Sequence, residues 1–400
     1  MPASPEVSPK EYLHALRRMV VSADLGAAAV ARHCLRTGLQ IWPDSWGRDA
    51  THPLRVIAVE PSGRDGVVID LAVPVELRRR FSWAAGQHVG IALDLDGIDV
   101  WRTYSICAPP AYLHEAGSIR IAVRKLPGGL VSSRIHQTIE PGRTVDVGLP
   151  NGTMTWLPEP TESPLVLLLA GGSGITPLYA VAAEILSRTA GGQVALLLVE
   201  RSAADVMLSR DLERLQRLHP QRFRYEPIWT SGPAGRPTVE PLRTRIRRLT
   251  TEFSHGGLSA VTESYLCGPD GLGDLAEGLL RDAGHPPAAI HRERFTSNRG
   301  GRRAQLPRPG GILRVALPNG ERDVYLQPGE SLLAAMLREG IEHPFSCVSG
   351  QCGTCRVRVL EGNVGPDEAR VLGPAGEADG SVLACISSCL PTEVRPASQS

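Results

Sequence analysis

The spacing of hydrophobic and polar positions changes along the chain and divides it into segments of different predicted structure. Residues 1–50 predict helix, because apolar side chains recur there at helical spacing. Residues 54–157 show short apolar stretches between Gly and Pro turns, which predicts a small antiparallel barrel. The barrel strands are predicted at residues 54–59, 67–73, 88–95, 119–124 and 144–147.

After residue 164, apolar strands alternate with longer helical segments, and this alternation indicates a parallel sheet covered by helices. Residues 299–311 are rich in Gly, Arg and Pro and predict a linker. A Pro-Asn-Gly turn then predicts a hairpin, and a stripe of Leu and Met predicts a short helix after it. The strands of this half are predicted at residues 165–170, 193–199, 223–228, 265–267, 312–317 and 323–326, and the stripe consists of Leu332, Leu333, Met336 and Leu337.

These patterns predict a multi-domain protein that joins an antiparallel β-barrel, a Rossmann-like α/β domain and a smaller α+β domain. The expected boundaries are residues 1–50 for the helical extension, 51–158 for the barrel, 159–298 for the α/β domain, 299–311 for the linker and 312–400 for the last domain.

Composition excludes several classes of protein. With 42% hydrophobic and 21% charged residues, the chain is not intrinsically disordered. Its 43 Lys and Arg balance 42 Asp and Glu, so we expect no nucleic-acid partner. The apolar stretches are shorter than the roughly 20 residues of a transmembrane helix. The N-terminus lacks a basic segment followed by an apolar core, so we expect no secretory signal and a cytoplasmic protein.

Four cysteines near the C-terminus have the spacing of thiolates that bind a plant-type [2Fe-2S] cluster. Cys347, Cys352 and Cys355 fall in one short loop, and Cys385 follows after 29 residues. The glycines of the loop let its backbone curl, so that amide N–H groups point towards the cluster sulfurs. We expect the fourth ligand on a returning strand that spans residues 382–385.

Two alternatives to this ligand set remain. A zinc site usually takes paired Cys-x2-4-Cys knuckles, and Cys385 has no such mate at matching spacing. Cys389 would replace Cys385 as the fourth ligand if the loop closed differently. Cys34 and Cys107 are interpreted as small buried hydrophobic residues.

The barrel segment holds candidate flavin-binding residues. Arg102, Tyr104 and Ser105 follow the point, after Trp101, where a strand is predicted to end. A Tyr ring can cover an isoalloxazine face, a Ser hydroxyl can bond the ring edge and an Arg fork suits a phosphate. The expected pyrophosphate cradle lies at a predicted helix start. Its residues are Gly129, Ser132 and Ser133, and Arg124 is a further candidate. The cradle favours FAD, although Arg102 would also suit the terminal phosphate of FMN.

A second set of candidates falls where strands of the α/β domain end. Gly172, Gly174 and Thr176 follow its first strand, where glycines let a pyrophosphate approach a helix N-terminus. Cys267, Gly268 and Pro269 end a later strand at the same edge. Arg201 follows the second strand and favours the 2′-phosphate of NADPH, whereas Glu200 would hold the free 2′-hydroxyl of NADH.

Taken together and in this order, these motifs resemble the ferredoxin-NADP reductase superfamily with a C-terminal plant-type ferredoxin domain. The matching residues are Arg102-Thr-Tyr-Ser-Ile, Gly171-Gly-Ser-Gly-Ile-Thr-Pro, Cys267-Gly-Pro, His291-Arg-Glu-Arg-Phe295 and the cysteine loop. Within the superfamily the chain looks closest to reductases of oxygenases and desaturases, such as the reductase subunit of phenylacetyl-CoA epoxidase. The resemblance implies a flavin-binding barrel, an NAD(P)-binding domain and a β-grasp ferredoxin domain. It also places Glu293 and Phe295 at the far face of the flavin.

The resemblance further implies NADPH or NADH, FAD and a [2Fe-2S] cluster as cofactors. Electrons would pass one at a time to a partner oxygenase, hydroxylase or desaturase. Hydride transfer needs no side-chain acid or base, so no catalytic residue is nominated. Two other classes stay open: a redox-sensing binding module, and a flavin oxidoreductase that reduces small acceptors directly.

Overall fold

The computed structural model describes residues 51–94, 99–157, 163–232, 235–295, 311–317, 320–327, 330–341, 343, 355–362, 364–365 and 380–389. The predicted N-terminal helices, most of the predicted linker, Cys347 and Cys352 lie outside these residues. None of the helices in the described segments is long and apolar enough to cross a membrane.

The first domain is built on one six-stranded antiparallel sheet. Its elements are β1 (Thr51–Pro61), β2 (Gly66–Ala72), β3 (His88–Asp94), β4 (Asp99–Ser105), α1 (Tyr112–Ala116), β5 (Ser118–Arg124), α2 (Leu130–Thr138) and β6 (Thr144–Gly148). The strand order is β4-β3-β6-β1-β2-β5, which confirms the predicted antiparallel domain. On β1 the side chains of Leu54 and Val56 are buried and those of Arg55 and Ile57 are exposed, as the two-residue period of a strand requires.

Strand β4 corrects the prediction that this strand ends after Trp101. It continues to Ser105, because β3 pairs with it over its whole length and His88 stands opposite Ser105. Because the residues of this stretch are polar, no apolar pattern marks it as a strand. Arg102, Tyr104 and Ser105 therefore lie on a strand whose backbone is held by the sheet.

The second domain is a parallel sheet with helices on both faces. Its elements are β7 (Leu165–Gly171), α3 (Ile175–Arg188), β8 (Gln193–Glu200), α4 (Ser209–Leu218), β9 (Phe223–Trp229), α5 (Val239–Thr251), β10 (Glu263–Gly268), α6 (Asp270–Asp282) and β11 (Ile290–Arg294). The strand order is β11-β10-β7-β8-β9. Every residue of β7 is buried, because Leu168 packs with α3 and α4 on one face and Leu167 with α5 and α6 on the other.

Strand β11 is absent from the sequence prediction. It pairs with β10 at the edge of the sheet and consists largely of charged residues, so no apolar pattern marks it.

The two domains share one hydrophobic core. Val68 of β2 and Ala122 of β5 stand opposite each other in the barrel sheet and pack in the same cluster as Leu178 of α3. The first domain is thereby fixed against the helix that begins at the glycine turn of the second.

The third domain is small and of the α+β type. Its elements are β12 (Gly311–Leu317), β13 (Gly320–Leu326), α7 (Leu332–Arg338), β14 (Arg356–Arg358), β15 (Val364–Gly365), β16 (Ser381–Leu383) and β17 (Ser388–Cys389). The predicted hairpin and helix are confirmed, and β12 begins one residue inside the predicted linker. The predicted strand over residues 382–385 is wrong at its end. β16 stops at Leu383, and Cys385 falls in a turn that the amide of Ile386 closes on the carbonyl oxygen of Leu383.

A buried histidine at the end of the second domain predicts a pH dependence of stability. His285 places its Nε2 atom 3.2 Å from Oγ of Ser264, and burial lowers the pKa of His285 below its usual 6.5. Below about pH 6.5 the unfolded chain binds a proton that the folded chain resists, so stability falls as the pH drops through this region.

We therefore expect the melting temperature to fall on acidification from about pH 7 to about pH 5, and to fall less steeply in His285→Gln. Differential scanning calorimetry at both pH values measures the two slopes. Equal slopes in the two proteins would contradict a neutral, buried His285.

Candidate functional site

Two turns meet at the carboxyl edge of the parallel sheet, where open α/β folds bind ligands. Gly268 ends β10 with a φ of +157°, and a Cβ atom there would lie 2.8 Å from the amide nitrogen of Gly171. A Cβ atom on Gly171 would in turn lie 2.7 Å from Cδ of Pro269. Only glycine permits this close approach. The two predicted motifs of the second domain, Gly172 to Thr176 and Cys267 to Pro269, are thus brought together.

The N-terminus of α3 opens onto these turns. Its first turn has no acidic residue and no side-chain cap, so the positive end of the helix dipole is not neutralised by its own residues. The hydroxyl of Thr176 donates a 2.9 Å hydrogen bond to the carbonyl oxygen of Ser173, which fixes the turn. The arrangement suits the pyrophosphate of a dinucleotide.

A contact between two side chains joins the barrel sheet to the edge of the parallel sheet. His88, opposite Ser105, places its Nδ1 atom 3.5 Å from Oε1 of Glu293. Glu293 is in turn the register partner of Cys267. Oγ of Ser105 and Oε2 of Glu293 are buried, and neither atom has a hydrogen-bond partner among the described residues. Burial first and the charge of Glu293 second raise the pKa of Cys267, so its thiol stays protonated.

Arg102 and Tyr104 lie on β4 beside Ser105, so the structure brings the predicted flavin triplet onto one strand. The ring of Tyr104 packs against the barrel core, and burial raises the pKa of its phenol well above the usual value. Phe295, the other aromatic candidate, directly follows β11 and its side chain is exposed.

The helix α2 begins where the sequence predicts the pyrophosphate cradle. Gly129 precedes its first residue, and the first turn has neither an acidic residue nor a side-chain cap. The hydroxyl of Ser132 accepts a 3.1 Å hydrogen bond from the amide of Leu126, which folds the loop back on the helix. Ser133 bonds through its amide to the carbonyl oxygen of Gly129. Ser132 therefore shapes the cradle, and the backbone N–H groups of the first turn remain for an anion.

The side chain of Arg124 extends across the domain boundary and contacts the second domain. Its Nη2 atom lies 2.5 Å from Oε2 of Glu200 and 2.7 Å from the carbonyl oxygen of Asp205. Its Nη1 atom lies 3.2 Å from the position that a Cβ on Gly172 would occupy. The guanidinium of Arg124 thus sits over the glycine turn of the second domain.

Arg201 is also bound by acidic residues that no sequence motif marks. Its Nη2 atom lies 2.7 Å from Oδ1 of Asp205 and 3.0 Å from Oδ2 of Asp65. Asp65 belongs to the barrel domain and is 136 residues away in the sequence. No local pattern signals such a contact, since it exists only after the domains pack.

Two of the four predicted cluster ligands lie in the described part of the third domain. Cys355 precedes β14 and Cys385 follows β16, and these two strands pair with each other. Both side chains are buried, and the amide of Ala384 donates a 2.9 Å hydrogen bond to the carbonyl oxygen of Cys355. Cys389 lies on β17, which pairs with β15 instead.

The residues present fit the groups that the motifs imply. Ser105 and Glu293 offer buried polar atoms that the described protein leaves without partners. The starts of α2 and α3 offer uncapped amides to phosphates, and Cys355 and Cys385 offer two buried thiols beside the ends of two paired strands.

The fold and the site define a modular oxidoreductase with a flavin domain, a nicotinamide domain and a ferredoxin-type domain. Family models match all three parts: an oxidoreductase FAD-binding domain over residues 53–156, an oxidoreductase NAD-binding domain over residues 168–277 and a 2Fe-2S iron-sulfur cluster binding domain over residues 317–390. The cofactors are therefore FAD, NAD(P)H and a [2Fe-2S] cluster, and the alternatives of FMN and zinc are set aside.

Known relatives share this organisation over most of their length. One subunit of the 1,2-phenylacetyl-CoA epoxidase of Escherichia coli K12 is 32% identical over 352 residues, covering 86% of this chain and 96% of the relative. The ferredoxin reductase component of 3-ketosteroid-9-alpha-monooxygenase from Rhodococcus rhodochrous is 30% identical, covering 83% and 92%. The chain belongs to this family of NAD(P)H-dependent reductases with FAD-binding and [2Fe-2S] domains.

A solved structure shows the same fold. Phthalate dioxygenase reductase, described as a modular structure for electron transfer from pyridine nucleotides to [2Fe-2S], superposes with a TM-score of 0.55 at 20% identity. The match covers 86% of this chain and 96% of that one.

Proposed function

We propose that this chain is the reductase component of an oxygenase system, which takes electron pairs from NAD(P)H and delivers single electrons to a partner oxygenase. The main support is the contact between His88 and Glu293, which links the register partners of Ser105 and Cys267. It places buried polar atoms from the barrel and from the nucleotide-binding sheet at one junction, where a flavin and a nicotinamide would have to meet. FAD held there would supply the chemistry that accepts a hydride from the reduced nicotinamide and releases electrons singly.

On this proposal the first domain holds the flavin with residues from three elements. Tyr104 covers a ring face, the hydroxyl of Ser105 bonds the ring edge, and Arg102 binds a phosphate oxygen. The first turn of α2, between Gly129 and Ser133, binds the pyrophosphate with backbone amides. Glu293 and Phe295 border the far face of the ring.

The second domain binds the nucleotide across its carboxyl edge. The turn from Gly172 to Thr176 holds the pyrophosphate, and Arg124 supplies a positive charge from the barrel side. Cys267, Gly268 and Pro269 border the nicotinamide. Because its pKa is raised, the buried thiol of Cys267 adds no charge of its own beside Glu293.

The third domain passes electrons to the acceptor through its metal centre. We propose Cys347, Cys352, Cys355 and Cys385 as the four thiolate ligands. The pairing of β14 with β16 supports Cys385 over Cys389, because it places Cys385 next to Cys355.

The partner is proposed from the enzyme systems to which the relatives belong. The two curated relatives are named as parts of a phenylacetyl-CoA epoxidase and of a ketosteroid monooxygenase. The side chains of Arg356 and Arg358 are exposed directly after Cys355, so they offer positive charge for weak, transient docking of an acidic surface. We propose a diiron or Rieske oxygenase, hydroxylase or desaturase as acceptor, in the cytoplasm.

The test is electron output from the holo-protein, loaded with FAD and with a reconstituted cluster. We expect it to reduce cytochrome c with NAD(P)H at catalytic rates and to replace the native reductase in a reconstituted phenylacetyl-CoA epoxidase assay. A protein that binds all three cofactors yet reduces neither acceptor would contradict the proposal. That result would favour the sensor, for which slow turnover is sufficient.

A further inference from the structure

We propose that the nucleotide site selects NADH over NADPH, because Asp65 of the barrel domain joins Asp205 in occupying the guanidinium of Arg201. This inference rests on the proposed function and names the electron donor for the same site. It reverses the preference that the sequence position of Arg201 alone indicates.

Arg201 lies at the position that discriminates between NADH and NADPH. It directly follows β8, the second strand of the parallel sheet, and the adenosine ribose of a dinucleotide lies near the end of this strand. A free arginine at this point would bind the 2′-phosphate of NADPH. The arginine here is bound on one nitrogen atom by two carboxylates, at 2.7 and 3.0 Å.

The acid that holds Arg201 most closely is fixed in place. The side chain of Asp205 is only 4% exposed, and its Oδ2 atom accepts a 2.5 Å hydrogen bond from the hydroxyl of Ser202. This hydrogen bond and the nearby arginines lower the pKa of Asp205, so its carboxylate keeps its charge. A phosphate that displaced Asp205 from Arg201 would leave this buried carboxylate with the hydroxyl of Ser202 and, at 3.6 Å, the largely exposed Arg64, which is a weaker pairing.

The second acid, Asp65, lies on a loop of the barrel domain that is packed against the second domain. Ser62, at the start of this loop, accepts a 2.8 Å hydrogen bond from the amide of Leu208 in the second domain. Gly63 has a φ of +68°, and a Cβ atom there would lie 2.9 Å from the carbonyl oxygen of Val206. The loop is thus packed against the second domain, and this packing sets the position of Asp65.

Charged side chains of both signs surround the ribose position. Arg124 pairs with Glu200 at 2.5 Å, and Arg201 pairs with Asp65 and Asp205. Arg64 lies 3.6 Å from Asp205, with a side chain that is 61% exposed. Lys125, whose amide donates to the carbonyl oxygen of Asp65, has an exposed side chain. Three arginines therefore face three carboxylates, and Lys125 adds one further positive charge at the surface.

A 2′-phosphate would add about two negative charges to this set, next to Asp65 and Asp205. Like charges at this range repel, and Arg64 and Arg201 already lie within salt-bridge distance of these carboxylates. A free 2′-hydroxyl has the opposite effect, because it donates a hydrogen bond to a carboxylate such as Asp65, which is 41% exposed. The site therefore accepts the uncharged ribose and disfavours the phosphorylated one.

Two measurements on the FAD-loaded full chain test this inference. Isothermal titration calorimetry compares AMP with 2′-phospho-AMP, which differ only in the 2′-phosphate. Steady-state kinetics compare kcat/KM for NADH and NADPH. In the wild type we expect at least about a tenfold preference for AMP and for NADH. In Asp65→Asn, which frees Arg201 from one acid, we expect both preferences to fall about tenfold.

Asp323→Asn is the matched control. Asp323 is an exposed carboxylate that lies 2.7 Å from the guanidinium of Arg314 in the third domain, so its replacement also removes one of the two acids beside an arginine. We expect it to leave both preferences unchanged. A wild type that prefers NADPH, or an Asp65→Asn protein whose preferences match the wild type, would overturn the inference. A protein that oxidises neither nucleotide would overturn the proposed function, and this inference with it.

Discussion

Replacing Cys385 with serine is expected to lower the rate of NADH-driven cytochrome c reduction about 100-fold or more, while reduction of ferricyanide by NADH stays within about twofold. Serine does not replace a thiolate in a plant-type cluster without a large loss of stability, so one-electron output through the third domain ends. Ferricyanide takes electrons from the flavin domain directly. The iron and sulfide content of the purified variant and both steady-state rates measure the effect.

Cys389→Ser is the control for this variant, because it removes a thiol four positions away on β17. We expect it to retain the cluster and both activities. Loss of the cluster in Cys389→Ser, with retention in Cys385→Ser, would make Cys389 the fourth ligand. Cytochrome c reduction that survives the loss of iron from Cys385→Ser would instead favour a flavin oxidoreductase that reduces acceptors directly.

Replacing Ser105 with alanine is expected to slow flavin reduction by NADH about tenfold, without lowering the stability of the apo-protein. The reason is the buried Oγ atom, which has no partner among the described residues. Removing an unsatisfied buried hydroxyl changes the free energy of unfolding little. Removing a hydrogen bond to a bound flavin lowers the rate of flavin reduction. Stopped-flow absorbance measures the first effect, and thermal unfolding of the apo-protein measures the second.

Ser118→Ala is the control within the same domain. Ser118 is fully buried at the start of β5, beside Tyr112 rather than at the junction of the two domains. We expect normal flavin reduction from it. If Ser105→Ala reduces its flavin at the wild-type rate, or if the two variants slow it equally, the position proposed for the flavin ring is wrong.

Much of the fold could be predicted because the elements that carry it obey short-range rules. The fully apolar strand β7 and the Pro-Asn-Gly hairpin of the third domain are visible in the sequence and are confirmed. The structure adds β11 and the end of β4, whose charged and polar residues are ordered by neighbouring strands and carry no apolar signal. It also moves Cys385 from a strand into a turn.

The motifs of the site could be predicted from the sequence, but the contacts between distant residues could not. The glycine turn before α3 follows from chemistry that operates within a few residues. The pairing of Arg201 with Asp65 depends instead on how two domains pack, and 136 residues separate the partners in the sequence. Specificity for the nucleotide depends on this kind of contact, which explains why the identity of Arg201 alone points to the wrong cofactor under our inference.

The central claim is that electrons enter in pairs at the flavin junction and leave singly through the cluster. Electron paramagnetic resonance of the anaerobic holo-protein, mixed with one equivalent of NADH, tests it most directly. We expect the signal of a reduced [2Fe-2S] cluster in most molecules, with the same amplitude as after reduction with dithionite. A cluster that dithionite reduces but NADH does not would contradict it.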